Sequence, residues 1–521
     1  MSANNQERWG RMRPSCCPCG CDGEDAAGMS RRTFLEGVGV TLGGAALTGL
    51  TWSALSAAEG EIAAPPPRRP LAVQPVFTYS TPRRRKQSSW RNWGGIETQK
   101  DADQEMARIK GELDKLQAAA DFPVKFSPVA PVRGGRDLAA AKDLATADVV
   151  VIYAAGGWSG VFDAIHKMGK DVIFFVRHKS GPVYLWYEIV HPRFLRRHSD
   201  RPAVKGIDYQ DVVVDSLDEL QWRLRALCGL RNALGTRIIA VGGPGGWATG
   251  NAPKLAQDRW KLDIRTVSYN ELGKLIQAAR ADKAAVERAT QRADAYLKLP
   301  GTKLETKKEF VEKCFILEEI FRGLMKQADC GAITINACMG TIMPISQTTA
   351  CLPLSTLNDD GYLAFCESDF VAIPAGILLA GISGRPPFLL NPTYPHDGVM
   401  TMAHCTAPRK MDGKKLEPAR IMTHFESDFG AAPKVDMRIG QELTLVNADF
   451  EAKHWLGVSG KIADHPFLPV CRSQLDVKFT CDSGVLAEKM RGFHWMIVYG
   501  NYLRETGYAL KRVGIEWECL G

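Results

Sequence analysis

The chain has 521 residues, of which 45% are hydrophobic and 24% are charged; these values exclude a disordered or collagen-like chain. The chain is longer than a single domain with one hydrophobic core usually is, so about two to four domains are expected. The formal net charge is +8, but residues 101–521 carry only +3 of it, which is too little for a nucleic-acid-binding body.

The N-terminal segment predicts an export signal. Two consecutive arginines at 31–32 precede an apolar, Gly/Ala-rich run over 38–55, and a small-x-small cleavage site ends at Ala58. The pattern resembles a twin-arginine signal, so we expect residues 1–58 to be removed on export to the periplasm or another extracytoplasmic space. No stable membrane span is then expected after processing, although a membrane anchor is the alternative.

The segment that follows is predicted to lead into a first α/β domain. Residues 59–88 are rich in Pro and Arg and indicate a linker. Residues 89–235 then contain a helical pattern over 100–122 and continuous apolar runs at 147–157 and 171–178. Such runs are typical of parallel strands buried on both faces, so we predict a Rossmann-like domain here.

Two further domains are predicted from the change in pattern along the chain. Residues 236–395 begin with a strand that runs into a Gly-rich turn and continue with alternating helices and strands, which indicates a second Rossmann-like domain. From residue 396 to residue 521 the pattern changes to short strands without long helices, which indicates a β-barrel-like C-terminal domain. The predicted fold class is therefore α/β with a β-rich end.

The Gly-rich turn contains Gly243-x-Gly245-x-x-Ala248, a nominal dinucleotide-binding fingerprint. Pro253 interrupts the helix that should start there, and no acidic residue ends the next strand. We therefore predict no dinucleotide cofactor and interpret the turn as a tight connection or a ligand-lining loop.

Two carboxylates, Glu367 and Asp369, lie in the apolar stretch LAFCESDFVAIPAG. Buried charges need a partner, which is often a metal or a substrate. On an extended segment the two side chains would face the same side. Alternatively, Ser368 and Asp369 could cap the helix that follows.

Two histidines stand out from the others. His404 and Cys405 form a consecutive pair after an apolar run, which suits a metal site, a nucleophile or a structural role. His494 begins an apolar β-run, where an imidazole needs a polar partner and can be either a satisfied core residue or a ligand.

Four segments in chain order resemble the L-fucose/L-arabinose isomerase superfamily, especially its fucose-isomerase-like branch. They are CLPLSTLNDDGYLAFCESDF, ILLAGISGRPPFLLNP, MAHCTAP and CRSQLDVKFT…GFHWMIVYGNYLRE. The resemblance extends more loosely over residues 89–521. It implies two Rossmann-like α/β domains, a barrel-like C-terminal domain and a homo-oligomer, commonly a trimer or hexamer.

The resemblance also implies a metal-dependent aldose–ketose isomerase. Glu367, Asp369 and His494 would hold a divalent cation, Mn²⁺ in this family, and the two carboxylates would move the proton between the sugar carbons. Candidates for contacts with the sugar are Arg385, Asn391, His404 and Gln474 from the same segments, and Asn336, which lies before them near the place of another family Glu.

One departure from the family pattern keeps other functions open. The family has a second catalytic Glu some two dozen residues before the Asp, but no acidic residue occurs between Asp329 and Asp359. A carbohydrate-binding protein without catalysis is therefore the alternative. A third possibility is redox chemistry through Cys338, Cys366 or Cys405.

Overall fold

The computed structural model describes residues 45–56, 64–156, 159–184 and 206–520. The predicted twin-arginine pair at 31–32 lies outside these residues. No helix within the described ranges is both long enough and apolar enough to cross a membrane.

The strands are numbered in chain order. They are β1 Ala45–Ala46, β2 Leu71–Thr78, β3 Val124–Phe126, β4 Ala130–Val132, β5 Val149–Ala154, β6 Asp171–Val176, β7 Val212–Val214, β8 Arg237–Val241, β9 Asp263–Val267, β10 Thr302–Leu304, β11 Ala332–Ile335, β12 Leu363–Phe365, β13 Phe388–Pro392, β14 Val399–His404, β15 Ala419–His424, β16 Phe429–Val435, β17 Glu442–Ala448, β18 His454–Asp464, β19 Ser473–Phe479, β20 Trp495–Tyr499 and β21 Glu516–Leu520.

The α-helices are numbered in the same way. They are α1 Trp52–Ser56, α2 Gln99–Ala119, α3 Gly135–Ala140, α4 Ser159–Lys167, α5 Leu217–Ala233, α6 Ala252–Trp260, α7 Tyr269–Ala281, α8 Lys283–Leu297, α9 Lys308–Gln327, α10 Met343–Ser346, α11 Cys351–Asp359, α12 Ile373–Ser383, α13 Ser483–Lys489 and α14 Leu503–Arg512.

The first sheet is parallel and has the order β3-β2-β5-β6-β7, with β4 also paired to β2. Strand β2 lies inside this sheet and is almost entirely buried. This corrects the interpretation of residues 59–88 as a linker, because Leu71–Thr78 is an inner strand. Its apolar residues were obscured by the Pro- and Arg-rich sequence on both sides.

The second sheet is also parallel and has the order β1-β9-β8-β11-β12. Its short edge strand β1 comes from the run that was predicted to be part of the export signal. Just after β1, Leu55 of α1 is buried in the core, and Nε1 of Trp52 donates to Oδ2 of Asp282 at 2.9 Å. The described part of this run is therefore packed against the second sheet and its helices.

The C-terminal region contains a closed antiparallel barrel of six strands. Their order is β17-β20-β13-β14-β19-β18, and pairing between β17 and β18 closes the barrel. The first barrel strand, Phe388–Pro392, precedes the predicted boundary at residue 396. The prediction of an α/β fold with parallel sheets and a barrel-like end is thus confirmed at this level.

The barrel and the second sheet share one hydrophobic core. Ile239 of β8 and Ile333 of β11 belong to the same buried cluster as Met402 of β14 and Trp495 of β20. The carboxyl ends of β8, β11 and β12 lie at one edge of the parallel sheet, where ligand sites form in such folds. His404 ends β14 and His494 precedes β20, so the barrel supplies both histidines toward this junction.

Candidate metal centre

The loop after β12 holds Glu367 in an unusual backbone conformation. Glu367 and Ser368 both have left-handed φ angles, 64° and 46°. The loop is fixed from two sides: the amide of Ser368 donates to Oγ1 of Thr334 at 3.1 Å, and the amide of Gly245 donates to the carbonyl of Ser368 at 3.1 Å. Such strained residues persist only where their surroundings hold them, and they are enriched at functional sites.

This geometry separates the two carboxylates that the sequence pattern paired. Glu367 faces the two barrel histidines, with a third of its side chain exposed. Asp369 is buried; its Oδ1 accepts from the amide of Val371 at 3.0 Å, and its Oδ2 lies 2.7 Å from Nδ1 of His494. The following helix α12 begins after Ala372 with no side-chain cap, so neither Ser368 nor Asp369 is its N-cap.

Three side chains converge as candidate metal ligands: Glu367, His404 and His494. One ligand atom from each lies within 4.8 Å of the others. Nε2 of His404 is 3.3 Å from Oε1 of Glu367, and Nε2 of His494 is 3.4 Å from Oε2. Both imidazoles are buried, while the carboxylate keeps contact with solvent.

The two Nε2 nitrogens approach Glu367 without forming aligned hydrogen bonds. Among the residues that the structure describes, neither nitrogen has a hydrogen-bond partner. Buried polar atoms in native proteins are almost always partnered, so two unpartnered nitrogens that face one carboxylate fit a cation between them. A set of two imidazoles and a carboxylate suits Zn²⁺, Fe²⁺ or Mn²⁺.

The electrostatics of the triad favour an ionised Glu367 and, with no cation between the side chains, a protonated His494. Burial favours the neutral form of Glu367, but the neighbouring imidazoles of His404 and His494 outweigh it and hold the pKa of Glu367 well below its usual range. Burial also lowers the pKa of His494, but Asp369 and Glu367 outweigh it and raise this pKa to about 9. The carboxylate is therefore ionised at neutral pH.

A second layer of contacts orients the ligands. Asp369 holds Nδ1 of His494, as carboxylates commonly do behind a metal-binding histidine. Nε1 of Trp247 donates to Oε2 of Glu367 at 2.7 Å, and the Trp247 ring stacks on Phe493 with centroids 4.5 Å apart. The Gly-rich turn therefore contributes a side chain to the site, in agreement with its interpretation as a ligand-lining loop.

Two of the predicted sugar-contact residues lie close to this centre. Asn391 pairs with Ala403, the residue before His404, and it follows Leu390, which pairs with Trp495. Asn336 follows β11, and a side chain at Gly245 would come within 3.6 Å of its Nδ2. Both residues therefore border the loops that carry the three candidate ligands.

Arg385 lies away from the centre, while Gln474 also pairs with Ala403 but has its side chain engaged elsewhere. Nη1 of Arg385 donates to the carbonyl of Tyr499 at 2.8 Å, at the far end of β20 from His494 and roughly 16 Å along the strand. The amide of Gln474 is buried and is bonded to the backbone of Leu468 and Cys471. The structure does not bring Arg385 to the centre, and Gln474 stabilises a loop.

The sequence analysis missed part of the centre. The His404–Cys405 pair was open to a metal, nucleophilic or structural role, and His404 was named only as a sugar contact, whereas the structure places its Nε2 in the candidate ligand set with Glu367 and His494. The signal was the polar pair at the end of an apolar strand, but no sequence feature shows what such a pair faces. The contact between Trp247 and Glu367 joins residues far apart in the chain and had no sequence signal.

A comparison of the chain with models of known protein families matches none of them, and a comparison with curated proteins also gives no match.

Proposed function

We propose that this chain is an exported, divalent-metal-dependent enzyme of the fucose-isomerase-like type that acts on an open-chain sugar or sugar derivative by enediol chemistry. The observation that carries the proposal is the convergence of Glu367, His404 and His494 with two unpartnered nitrogens. The proposal includes two Rossmann-like domains for the two parallel sheets, and a homo-oligomeric state.

The residues present fit the metal that the resemblance implies. Glu367, His404 and His494 would hold the cation, and Asp369 would keep His494 in the tautomer that leaves Nε2 free. A bound Mn²⁺ would stabilise negative charge on the carbonyl and hydroxyl oxygens of the sugar.

Glu367 is the carboxylate best placed to move a proton. It is ionised at neutral pH and part of its side chain is open to solvent, while its lowered pKa makes it a weak base. Trp247 fixes one of its oxygens by a hydrogen bond. Asp369 has both oxygens engaged and is buried, which makes it a positioning residue for His494.

The same geometry supports a second candidate, a sugar-binding protein without isomerase activity. No acidic residue occurs between Asp329 and Asp359, and Asp369 is enclosed, so Glu367 would have to act both as ligand and as base. Retained binding without proton transfer is what the loss of one carboxylate would produce.

The test measures metal content and proton exchange in the same samples. Purified protein is assayed for bound metal, and aldoses are incubated with it in D₂O while deuterium at C2 is followed by NMR. We expect stoichiometric divalent metal and C2 exchange, with both lost in His494→Gln and exchange lost in Glu367→Gln. His396→Gln is the matched control, because His396 is exposed and pairs only with its neighbour Asp397 in the described structure.

The outcomes separate the two candidates. Sugar binding without exchange would favour the binding protein, and a metal-free protein that neither binds nor exchanges any aldose would overturn both.

A further inference from the structure

Two thiols and an imidazole lie beside the Glu367 centre and take no part in it. Cys351 begins α11, Cys405 follows β14 and His424 ends β15. One ligand atom from each of these residues lies within 4.8 Å of the others, and all three side chains are buried. Three separate elements thus bring two thiols and an imidazole to one point inside the protein.

We propose that Cys351, Cys405 and His424 form a second metal site, which binds Zn²⁺. Two thiolates and one imidazole are ligands for zinc-class cations and are poor ligands for Mg²⁺, Ca²⁺ or Mn²⁺. The donor set therefore differs from that of Glu367, His404 and His494, because it contains thiolate sulfur and the other set does not.

Neighbouring side chains complete the surroundings of this site. Nδ1 of His424 lies 3.2 Å from Oγ of Ser427, so Nε2 is the nitrogen left for a metal ion. Oε2 of Glu426 lies 3.8 Å from that Nε2. The Glu426 side chain is one third exposed, so it separates the buried site from solvent. Cys366 forms a second close group with His404 and Cys405, so Cys405 is shared between the two groups.

The two centres meet at consecutive residues. Nδ1 of His404 lies 3.6 Å from Sγ of Cys405, while Nε2 of the same ring faces Glu367. The zinc proposal nevertheless stands on its own ligands and does not depend on the function proposed for the Glu367 centre.

The number of protons released when Zn²⁺ binds follows from the protonation of its ligands. The ten cysteines of the described ranges are free thiols, so the formation of two zinc–sulfur bonds by Cys351 and Cys405 replaces two S–H bonds. About two protons per Zn²⁺ should be released to the buffer, and no electron is transferred.

The first experiment uses Co²⁺ as a spectroscopic substitute for Zn²⁺ on the reduced, metal-stripped full chain. We expect a near-ultraviolet sulfur-to-cobalt charge-transfer band that one equivalent of Zn²⁺ removes. Cys351→Ser and His424→Gln should lose the band and lower the affinity for Zn²⁺ at least about 100-fold, the upper end of the effect of removing a group behind a ligand. Cys228→Ser is the matched control, because Cys228 is a buried free thiol outside the group.

The Glu367→Gln variant separates this proposal from the proposed function. It should keep the sulfur-to-cobalt band, whether or not the protein binds Mn²⁺ or acts on sugars. Loss of the band in Glu367→Gln, with Cys351→Ser unaffected, would overturn the assignment of ligands.

The second experiment needs no variant and therefore does not depend on the folding of mutants. Because the thiols are buried in the native fold, the wild-type chain is alkylated in urea that opens the fold enough for them to react, with and without Zn²⁺, and the labelled peptides are mapped by mass spectrometry. Zinc should protect Cys351 and Cys405 from labelling and leave Cys228 unchanged. Equal labelling with and without zinc, or isolation of a disulfide that joins Cys405 to Cys351 or Cys366, would overturn the site.

Discussion

Two buried polar clusters of this molecule differ in how completely their polar atoms are partnered. In the first sheet, the guanidinium of Arg177 is fully buried and bonds to Glu105 at 2.6 Å, to Glu112 at 2.7 Å and to Ser180 at 3.0 Å. The hydroxyl of Tyr184 adds a further bond to Glu105 at 2.9 Å. Charge and hydrogen bonds are matched within this cluster, as a structural ion pair requires.

The Glu367 centre has a different arrangement. His494 is satisfied on Nδ1 by Asp369, but its Nε2 and that of His404 face Glu367 without an aligned hydrogen bond. Glu367 itself stands in a left-handed conformation. This difference between the two clusters supports the proposal that the Glu367 centre holds a cation.

The largest expected effect comes from breaking the satisfied cluster. Arg177→Met removes the buried positive partner of Glu105 and leaves that carboxylate with the half-exposed Arg108 and the hydroxyl of Tyr184. We expect the free energy of unfolding to fall by about 3 to 5 kcal/mol, measured by urea denaturation. The metal affinity of the Glu367 centre should not change, because the two clusters lie in different sheets.

Lys110→Ala is the control for that experiment. Lys110 pairs with Asp114 on the exposed face of α2, so its loss should change stability by less than about 0.5 kcal/mol. If Arg177→Met were as mild as this control, the Arg177 cluster would not be the structural ion pair described above.

For Asp369→Asn in the Glu367 centre, we expect metal affinity to fall and stability to be kept, the reverse of Arg177→Met. The new amide would donate to Nδ1 of His494 and move the imidazole proton to Nε2, which then cannot bind a metal ion. We expect metal affinity to fall about 10- to 100-fold while stability changes little, measured by metal titration and urea denaturation. Asp397→Asn is the control, because this exposed carboxylate contacts only His396 among the described side chains.

An unchanged metal affinity in Asp369→Asn would contradict the assigned role of Asp369. It would then follow that the buried Asp369–His494 pair contributes only to stability, as the Arg177 cluster does.

The sequence predicted the elements of the fold better than their arrangement. Continuous apolar runs correctly indicated buried parallel strands such as Val149–Ala154 and Asp171–Val176. Strand β2 was missed because Pro and Arg dominate the sequence around it, although its own side chains are apolar. Local composition predicts a strand only where the flanking residues do not outweigh it.

The candidate site was predictable only in part. Glu367 and His494 were identified through a family resemblance, and the structure does bring them together. The placement of His404 and Arg385 depends on strand register and direction, which are set by contacts between distant segments. The convergence of Cys351, Cys405 and His424 has the same origin, because each comes from a different element.

The carboxylate of Asp359 lies between the two clusters in how fully it is hydrogen-bonded, and its effect on stability should depend on pH. Oδ1 of Asp359 accepts from the amides of Arg409 and Lys410, both at 2.6 Å, and burial raises the pKa of Asp359 to about 7. Since this pKa lies above the unfolded value of 3.8, the folded state holds the proton more tightly. Its stabilising contribution is complete below the unfolded pKa and is lost as the pH rises toward 7.

We expect Asp359→Asn to flatten this dependence. The asparagine keeps an oxygen for the two amides but carries no charge. Between pH 4 and pH 8, wild-type protein should lose up to about 4 kcal/mol of stability relative to the variant, measured by urea denaturation at a series of pH values. Parallel pH profiles for the two proteins would show that Asp359 is ionised in the folded state at all of these pH values.

The smallest expected effect tests a partly exposed polar contact far from both clusters. Nε1 of Trp52 donates to Oδ2 of Asp282, while Oδ1 of Asp282 accepts from the amide of Ala284 at the start of α8. Trp52→Phe removes the donor but keeps an aromatic ring, so we expect a loss of about 0.5 to 1 kcal/mol in the full chain. Ser53→Ala is the control, because the hydroxyl of Ser53 is exposed.

This last variant also distinguishes two states of the N-terminal segment. If export removes residues 1–58, Trp52→Phe should destabilise the precursor and the exported protein should lack the residue altogether. If the segment stays attached and packed beside the second sheet, the same small loss should appear in the exported protein. A precursor whose stability is unchanged by Trp52→Phe, as in the Ser53→Ala control, would show that the contact with Asp282 contributes nothing to folding.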